Sequence, residues 1–232
     1  MKICLLTIAT NKYTNFVNPL YQSVDSFFCN EHDVTCLLFT NKVDFVTECR
    51  TKVKILPIEH EPWPNMTLKR YNIFCKYENE IKQHDYVYYC DADMRFVAPV
   101  KNEIFSERVV TLHPGFYNKS IKQFSYETNP NSTAFIPLNK GRRYYAGGFN
   151  GGTTTKFMEM SHHIANNVDI DLRKNIIAKW HDESHLNHYY NIVTRPTLQL
   201  SPSYCYPESW NLPFPKKLLA LDKNHKEYRS EE

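Results

Sequence analysis

The chain of 232 residues has no apolar run long enough to cross a membrane as a helix. Its N-terminal "MKICLLTIATNKY" carries too short an apolar stretch, and no small-residue cleavage site, to read as a secretory leader. It has no CxxC pair and no His/Cys cluster with zinc-ligand spacing. The seven cysteines, Cys4, Cys29, Cys36, Cys49, Cys75, Cys90 and Cys205, are odd in number, and several sit inside apolar runs. That pattern argues against a metal ribbon and for reduced structural thiols, so a soluble cytoplasmic protein is expected. An excess of one charge sign is lacking as well. With 28 basic and 25 acidic residues the net charge is +3, too small and too scattered to suggest nucleic acid as the main partner. Glycine is scarce at six, and no repeat, low-complexity tract or interdomain linker is visible. The length suits one sizeable domain.

What the chain has in quantity is aromatic residues, 16 Tyr and 14 Phe. Such rings line sugar and nucleoside sites, although most individual rings simply fill cores. The first ninety residues alternate strand and helix patterns. "KICLLTI", "VTCLLF" and "KVKILPI" read as buried strands. A helical stripe runs through Phe16, Leu20, Val24 and Phe27, delayed by Pro19, and a second spans about Met66 to Gln83. "DYVYYC" is the next strand. This order predicts a parallel-type α/β layer, whose ligands sit beyond the carboxyl ends of strands. The second half is less regular. "RYYAGGFNGG" reads as an extended segment broken by four of the six glycines, "TTTKFMEMSHHIANNV" and "ESHLNHYYN" as helices, and "TLQLSPSY" as a late strand. The charged tail "DKNHKEYRSEE" reads as mobile unless a ligand orders it.

Two D-x-D pairs occur, Asp91/Asp93 and Asp169/Asp171. About one chain in two of this composition holds such a pair by accident, so context must decide. The second pair, in "NNVDIDLRKN", reads as helix capping and a solvated face. The first ends an apolar strand, and the intervening Ala92 leaves room for both carboxylates to turn toward one cation. Hard oxygen donors suit Mn²⁺, with Mg²⁺ as the alternative. A further polar run, His181, Asp182 and Glu183 behind Trp180, reads equally well as a helix N-terminus or as a site.

Taken together, "DADM", "TLHPGFYN", "YYAGGFNGG" and "WHDESHLN", in this order, closely resemble glycosyltransferase family six, the family of the histo-blood-group A/B transferases and α1,3-galactosyltransferase. The resemblance runs from "TIATNKY" to "DKNH" and implies a bacterial or phage-type member without the membrane anchor of animal relatives. It implies a GT-A fold of the α/β class, a Rossmann-like nucleotide-sugar half fused to an acceptor-binding half. The nucleotide-binding half would cover about residues 1–95, the donor-sugar and acceptor half about 96–220, and the tail 221–232. The implied reaction transfers N-acetylgalactosamine or galactose from a UDP donor to a galactose-terminated glycan with retention of anomeric configuration. Fucosylation of the acceptor and oligomeric state are left open.

The resemblance also assigns roles. Ile8, Ala9, Thr10 and Tyr13 would contact the nucleoside, and Arg70 the donor. Asp91 and Asp93, with Ala92 between them, would hold the metal against the diphosphate. Lys223 and Arg229 would reach the phosphates from the tail. Asp182 would bind donor-sugar hydroxyls, and Glu183 would act as nucleophile or as stabiliser of an oxocarbenium-like species. His113, Ser125, Trp180 and Glu183 would face the acceptor. Ala146, Gly147 and Gly148 occupy the donor-discriminating segment, where a glycine at the third position leaves room for an acetamido group. UDP-N-acetylgalactosamine is therefore the expected donor and UDP-galactose the alternative. Pro207 departs from an acidic family position, for which Glu208 is the candidate substitute. Two other classes compete. A haloacid-dehalogenase-type phosphohydrolase also places D-x-D after a strand, but Arg95 stands where that class has Thr or Val. A glycan-binding module would need neither nucleotide nor catalytic Glu.

Overall fold

The computed structural model describes residues 1–224, 227 and 228. The first apolar run forms β1 (Lys2–Ile8), buried on both faces as an interior parallel strand must be. Its period of two serves two cores. Ile3 and Leu5 meet Val17, Leu20, Tyr21 and Val24 of α1 (Val17–Phe27), while Cys4 and Leu6 face the opposite layer. Strands β2 (Asp33–Thr40), β3 (Lys52–Pro57) and β4 (Tyr86–Cys90) extend the sheet in parallel. The chain then leaves for β5 (Met94–Phe96) and returns with β6 (Arg108–Leu112) and β7 (Tyr145–Thr153). Strand β7 lies antiparallel between β4 and β6.

Among the described residues the main sheet has seven strands, ordered β3-β2-β1-β4-β7-β6-β8, where β8 is Leu198–Leu200. A smaller sheet joins β5 to β9 (Tyr206–Pro207) and β10 (Leu218–Ala220). This is the mixed α/β, GT-A-like architecture expected. The strand order reverses at β1, which lies between β2 and β4, so the chain leaves their carboxyl ends in different directions and opens a crevice there. No helix among the described residues is long and apolar enough to cross a membrane.

The structure differs from the sequence pattern in three places. The helix expected over Met66–Gln83 is three short segments, α2 (Asn65–Leu68), α3 (Arg70–Lys76) and α4 (Glu78–Ile81). The breaks fall at Lys69 (φ −92°, ψ 14°) and Tyr77 (φ −108°, ψ 24°), in the bridge region between helix and strand. The first break re-aims Arg70 inward, so it is buried rather than on a solvated helix face.

The glycine-rich segment stays extended through all four glycines. It forms the nine-residue β7, although its register against β6 shifts where Thr111 pairs with Ala146 and Val110 with Asn150, and Gly151 and Gly152 permit close approach to its neighbours. A Cβ on Gly151 would lie 2.3 Å from the Val87 carbonyl oxygen. Gly152 has φ +143° and would place a Cβ 2.1 Å from the Glu107 carbonyl oxygen.

The second D-x-D is not a helix cap, and of the two only Asp169 lies on a solvated face. Both aspartates lie inside α5 (Thr154–Arg173), and Asp171 is buried. Its carboxylate accepts hydrogen bonds from Ser132 Oγ (2.6 Å) and the Thr133 N–H (2.8 Å), pinning the loop that follows residue 127. The last long element, α6 (His181–His188), packs against α5 and β7.

The β7 geometry makes a stability prediction. Gly152→Ala should lower stability by about 2–3 kcal/mol, because the positive φ and the backbone clash both oppose a side chain. Gly147→Ala, whose Cβ would meet nothing closer than 3.5 Å, should lose far less. Denaturant unfolding of the two variants checks the difference, and equal losses would refute it.

Candidate active site

Two adjoining cavities open at the carboxyl ends of β1 and β4. The first is lined by Ile8, Thr10, Tyr13, His60, Trp63, Met66, Arg70, Tyr89, Asp91, Ala92, Asp93 and Lys223, among others. The sequence-predicted nucleoside residues Ile8, Thr10 and Tyr13 therefore share one wall with the D-x-D loop. Ala9 does not line it; Ala9 is buried and its N–H donates to the Phe39 carbonyl oxygen (2.9 Å), a core position that holds β1 in register with β2. The second cavity is lined by Thr67, Arg70, Asp91, Gly147, Gly148, Trp180, Asp182 and Glu183. Ala146 stays outside both, buried opposite Thr111 in the β6–β7 ladder.

Arg70 and Asp91 belong to both walls. The Arg70 guanidinium lies 3.1 Å from Asp91 Oδ1 and 3.1 Å from Asp182 Oδ2, and it donates to the Gly147 carbonyl oxygen at 3.1 Å. It also sits 4.0 Å above the Tyr89 ring, whose hydroxyl donates to Asp91. Burial opposes its charge, but Asp182, Tyr89 and Asp91 overcome that penalty and hold it cationic. Asp182 pairs with Arg70 by charge, yet its Oδ2 accepts no aligned hydrogen bond. A buried carboxylate oxygen left with lone-pair capacity beside a cavity is suited to receive a ligand hydroxyl.

Burial raises the Asp182 carboxyl to about 6 despite Arg70. Burial raises Glu183 further, to about 7, against the Gly147 N–H and with Asp182 adding to the rise. That N–H donates to Glu183 Oε2 at 2.8 Å, and the Tyr144 hydroxyl is a second hydrogen-bond partner of the same carboxylate. The α6 N-terminus thus presents two carboxylates of unlike character, one paired with a guanidinium and one held by neutral donors.

The expected acceptor residues lie beyond Glu183. Trp180 precedes α6, half exposed, and its indole N–H donates to Ser125 Oγ (2.8 Å). The His113 ring lies 5.5 Å from that of Tyr144 and accepts at Nδ1 from the Gly115 N–H (3.0 Å). Glu208 lies 3.8 Å from Arg95 and accepts from the Asp222 N–H (3.1 Å).

In the tail, the Lys223 ammonium pairs with Asp93 and lies 5.2 Å from the Tyr13 ring. Tyr228 packs on Tyr13 and Phe16, with ring centres 5.3 and 4.9 Å apart. Arg229 lies outside the described residues. Among the described residues no group of three or more His, Cys, Asp or Glu could hold a metal. Asp91 and Asp93 nonetheless offer the hard oxygen pair that Mn²⁺ or Mg²⁺ takes when substrate phosphate and water complete its shell, so the donor set fits such an ion.

Sequence reasoning missed His60, Tyr89 and Tyr144. His60 Nδ1 is 2.8 Å from Thr10 Oγ1 on the wall of the first cavity. Tyr89 and Tyr144 were hidden in aromatic runs whose default reading is core. Their hydroxyls, each on a carboxylate of the cavity wall, are visible in three dimensions alone.

A family model described as glycosyltransferase family 6 matches residues 1–230. The chain is 33% identical over 240 aligned positions to histo-blood group ABO system transferase 1 of Rattus norvegicus, covering 98% of this chain and 68% of the relative. It is 30% identical to the O-antigen biosynthesis glycosyltransferase WbnI of Escherichia coli, covering 98% and 97%. It is 31% identical to globoside alpha-1,3-N-acetylgalactosaminyltransferase 1 of Canis lupus familiaris, covering 96% and 67%.

The buried charge arrangement can be tested without a substrate. Arg70→Met should cost about 3–5 kcal/mol at pH 8, because it strands two carboxylates. The loss should shrink toward pH 5, where Asp182, its carboxyl already raised to about 6, takes up a proton instead. Adding Asp182→Asn should recover part of the stability at pH 8. Unfolding curves at both pH values check this, and a pH-independent loss would refute it.

Proposed function

Since the chain belongs to glycosyltransferase family 6, we propose that it is a retaining α1,3-glycosyltransferase moving N-acetylgalactosamine from UDP-N-acetylgalactosamine to a galactoside. The observation that carries this reading is the pair Asp182 and Glu183 at one helix end, on a cavity wall shared with Arg70 and Asp91. That places an ion-paired carboxylate with no aligned hydrogen bond at Oδ2, a cation and a second carboxylate around one sugar-sized space. The globoside relatives, named as α-1,3-N-acetylgalactosaminyltransferases, support the donor and linkage. Gly148 supports the donor too: a Cβ there would come 3.0 Å from Asp91 Oδ2 and 3.4 Å from Met94 Sδ, narrowing the space beside the donor sugar.

Each residue has a task in this reading. Ile8, Thr10 and Tyr13 bind the nucleoside. Asp91 and Asp93 would hold Mn²⁺ or Mg²⁺, and a bound ion there supplies charge neutralisation to the departing diphosphate. Lys223 brings a second positive charge to the same end. Asp182 receives donor-sugar hydroxyls at the oxygen that accepts no protein hydrogen bond. Glu183 meets the anomeric carbon as a carboxylate, while Gly147 and Tyr144 fix its orientation. Both routes to retention, covalent attack by Glu183 or stabilisation of an oxocarbenium-like sugar, need this carboxylate deprotonated. His113, Ser125 and Trp180 bind the galactoside on the far side of Glu183. The unpaired cysteines suit a reducing cytoplasm.

Two experiments test the proposal. In the first, purified protein is incubated with UDP-N-acetylgalactosamine or UDP-galactose, a galactoside panel, and either Mn²⁺ or EDTA. Transfer of the acetamido sugar should dominate, and EDTA or Asp93→Asn should reduce turnover by about 10²-fold. No transfer by folded protein would overturn the function. Preference for UDP-galactose would overturn the donor, and activity indifferent to both EDTA and Asp93→Asn would overturn the metal.

The second follows Glu183, whose carboxyl is raised to about 7. Turnover should fall as pH drops through about 7, since protonation removes the active form. Glu183→Gln should abolish transfer, keep UDP affinity within about threefold, and leave the protein at least as stable at pH 8. The sign follows from linkage: a folded carboxyl raised above its unfolded value loses stability as pH rises toward the folded pKa, so above it the charge is a net cost. Full turnover in this variant would displace Glu183 from the centre of catalysis.

A further inference from the structure

Strand β4 and the Asp91 N–H pair with β7 no further than Gly148, so the residues before it lack that neighbour. Side chains of α6 and of the π-helical turn after it (Tyr189–Val193) take its place. The Gly147 N–H donates to Glu183 Oε2 at 2.8 Å. The Tyr145 N–H donates to Asn187 Oδ1 (2.9 Å), and the Asn187 amide donates back to the Tyr145 carbonyl oxygen (2.8 Å). Asn191 meets the N–H and carbonyl oxygen of Arg143 in the same way, at 3.3 and 3.0 Å. Every second residue of the strand segment is thus bonded by every fourth residue of the helix, in antiparallel order. Four helical residues rise about 6.0 Å and two strand residues about 6.8 Å, so the two series stay nearly in phase over three rungs.

Asn187 is the middle rung. It is buried, lines neither cavity, and a carboxamide in such a place is costly unless its bonds are made. Its second amide hydrogen goes to the Glu183 carbonyl oxygen at 2.9 Å. The orientation of the group follows from its neighbours: the oxygen faces an N–H and the nitrogen faces two carbonyl oxygens, and the reverse would set oxygen against oxygen twice. One side chain therefore ties the main chain of Glu183 to the main chain of Tyr145. That strand residue lies between the two groups that hold the Glu183 carboxylate, the Tyr144 hydroxyl and the Gly147 N–H.

We propose that Asn187 is a positioning residue for Glu183: it sets the height of α6 along β7, and with it the meeting of the Glu183 carboxylate with Gly147 and Tyr144. A slip of about 1 Å between helix and strand would already break a hydrogen bond of ordinary length, and a misplacement of that size costs far more in rate than in stability. Asn191 anchors the far end of the same ladder, where its Oδ1 also accepts from the Arg142 N–H at 2.8 Å. The catalytic part of this role rests on the transferase reading proposed above, whereas the ladder itself does not.

With six glycines in the chain, the Gly147 N–H can be watched directly by NMR of protein labelled with ¹⁵N-glycine. Its signal is identified by its loss in Gly147→Ala, and Glu183→Gln shows how far the proton resonance moves when the carboxylate is replaced. Asn187→Leu, similar in shape but unable to hydrogen-bond, should move it in the same direction by about half that distance or more. Asn187→Ser, the milder change, should move it the same way and supplies the answer where the leucine variant does not fold. Ser132→Ala, which removes a buried hydrogen bond to α5, is the destabilised reference and should leave the resonance in place. In transfer assays Asn187→Ser should lose about tenfold in kcat, with the KM for UDP-N-acetylgalactosamine within about twofold. A Gly147 resonance unmoved in folded Asn187 variants overturns the positioning role. Equal movement in Ser132→Ala overturns it too, as does a raised KM with kcat unchanged. A wild type without transfer overturns the transferase reading, and the Gly147 resonance then still decides whether Asn187 sets the place of Glu183.

Discussion

A buried guanidinium, Arg70, holds the two cavity walls in one arrangement. Asp91 arrives at the end of β4, Asp182 at the start of α6, and Gly147 from β7, and these three elements have no local reason to converge. Two carboxylates this near each other repel, and each would be costly to bury alone. The cation between them turns that repulsion into a fixed geometry. The break at Lys69 has the same logic. A straight helix over the 66–83 stretch would carry Arg70 on a different heading, so helix regularity is given up to place one charge.

Glu183 shows the opposite choice. It sits beside the ion-paired cluster without a cation of its own, held by a backbone N–H and a phenol. Neutral donors orient the carboxylate without neutralising it, and burial strengthens any charge that develops opposite it. A second arginine at that place would have made the fold more stable and the carboxylate less responsive to a positive sugar. The local instability is what a group poised for electrostatic work looks like, and it explains how two adjacent acids acquire different characters from their surroundings.

Much of the scaffold was legible in the sequence because its signals are local. The continuous apolar run in "KICLLTI" and the abrupt carboxylates after "VYYC" each depend on a few neighbouring residues, and both strands ended where expected. The crevice between them followed from strand order. What stayed hidden depends on contacts distant in sequence. Asp171 reads as solvated until Ser132 and Thr133, almost forty residues earlier, are seen to bind it. The glycines of β7 read as breaks because nothing local shows that Val87 and Glu107 will press against them. Ala9 and Ala146 matched the expected motif but point into packing, since a motif fixes which residues recur and not which way each side chain faces.

The tail carries the charge logic one step further. Asp91 and Asp93 are a single residue apart, yet they are neutralised from different directions, Asp91 by Arg70 within the folded core and Asp93 by Lys223 from the chain's last segment. The core partner is permanent, because removing Arg70 strands buried groups. The contacts that hold the tail partner include an ion pair to Asp93, a cation–ring contact with Tyr13 and the packing of Tyr228 on Tyr13 and Phe16. In the proposed reaction a diphosphate entering there would compete with Asp93 for the ammonium, and a divalent ion would compete with the ammonium for Asp93. The same aspartate pair that halts β4 so abruptly therefore joins a rigid half of the site to an adjustable one.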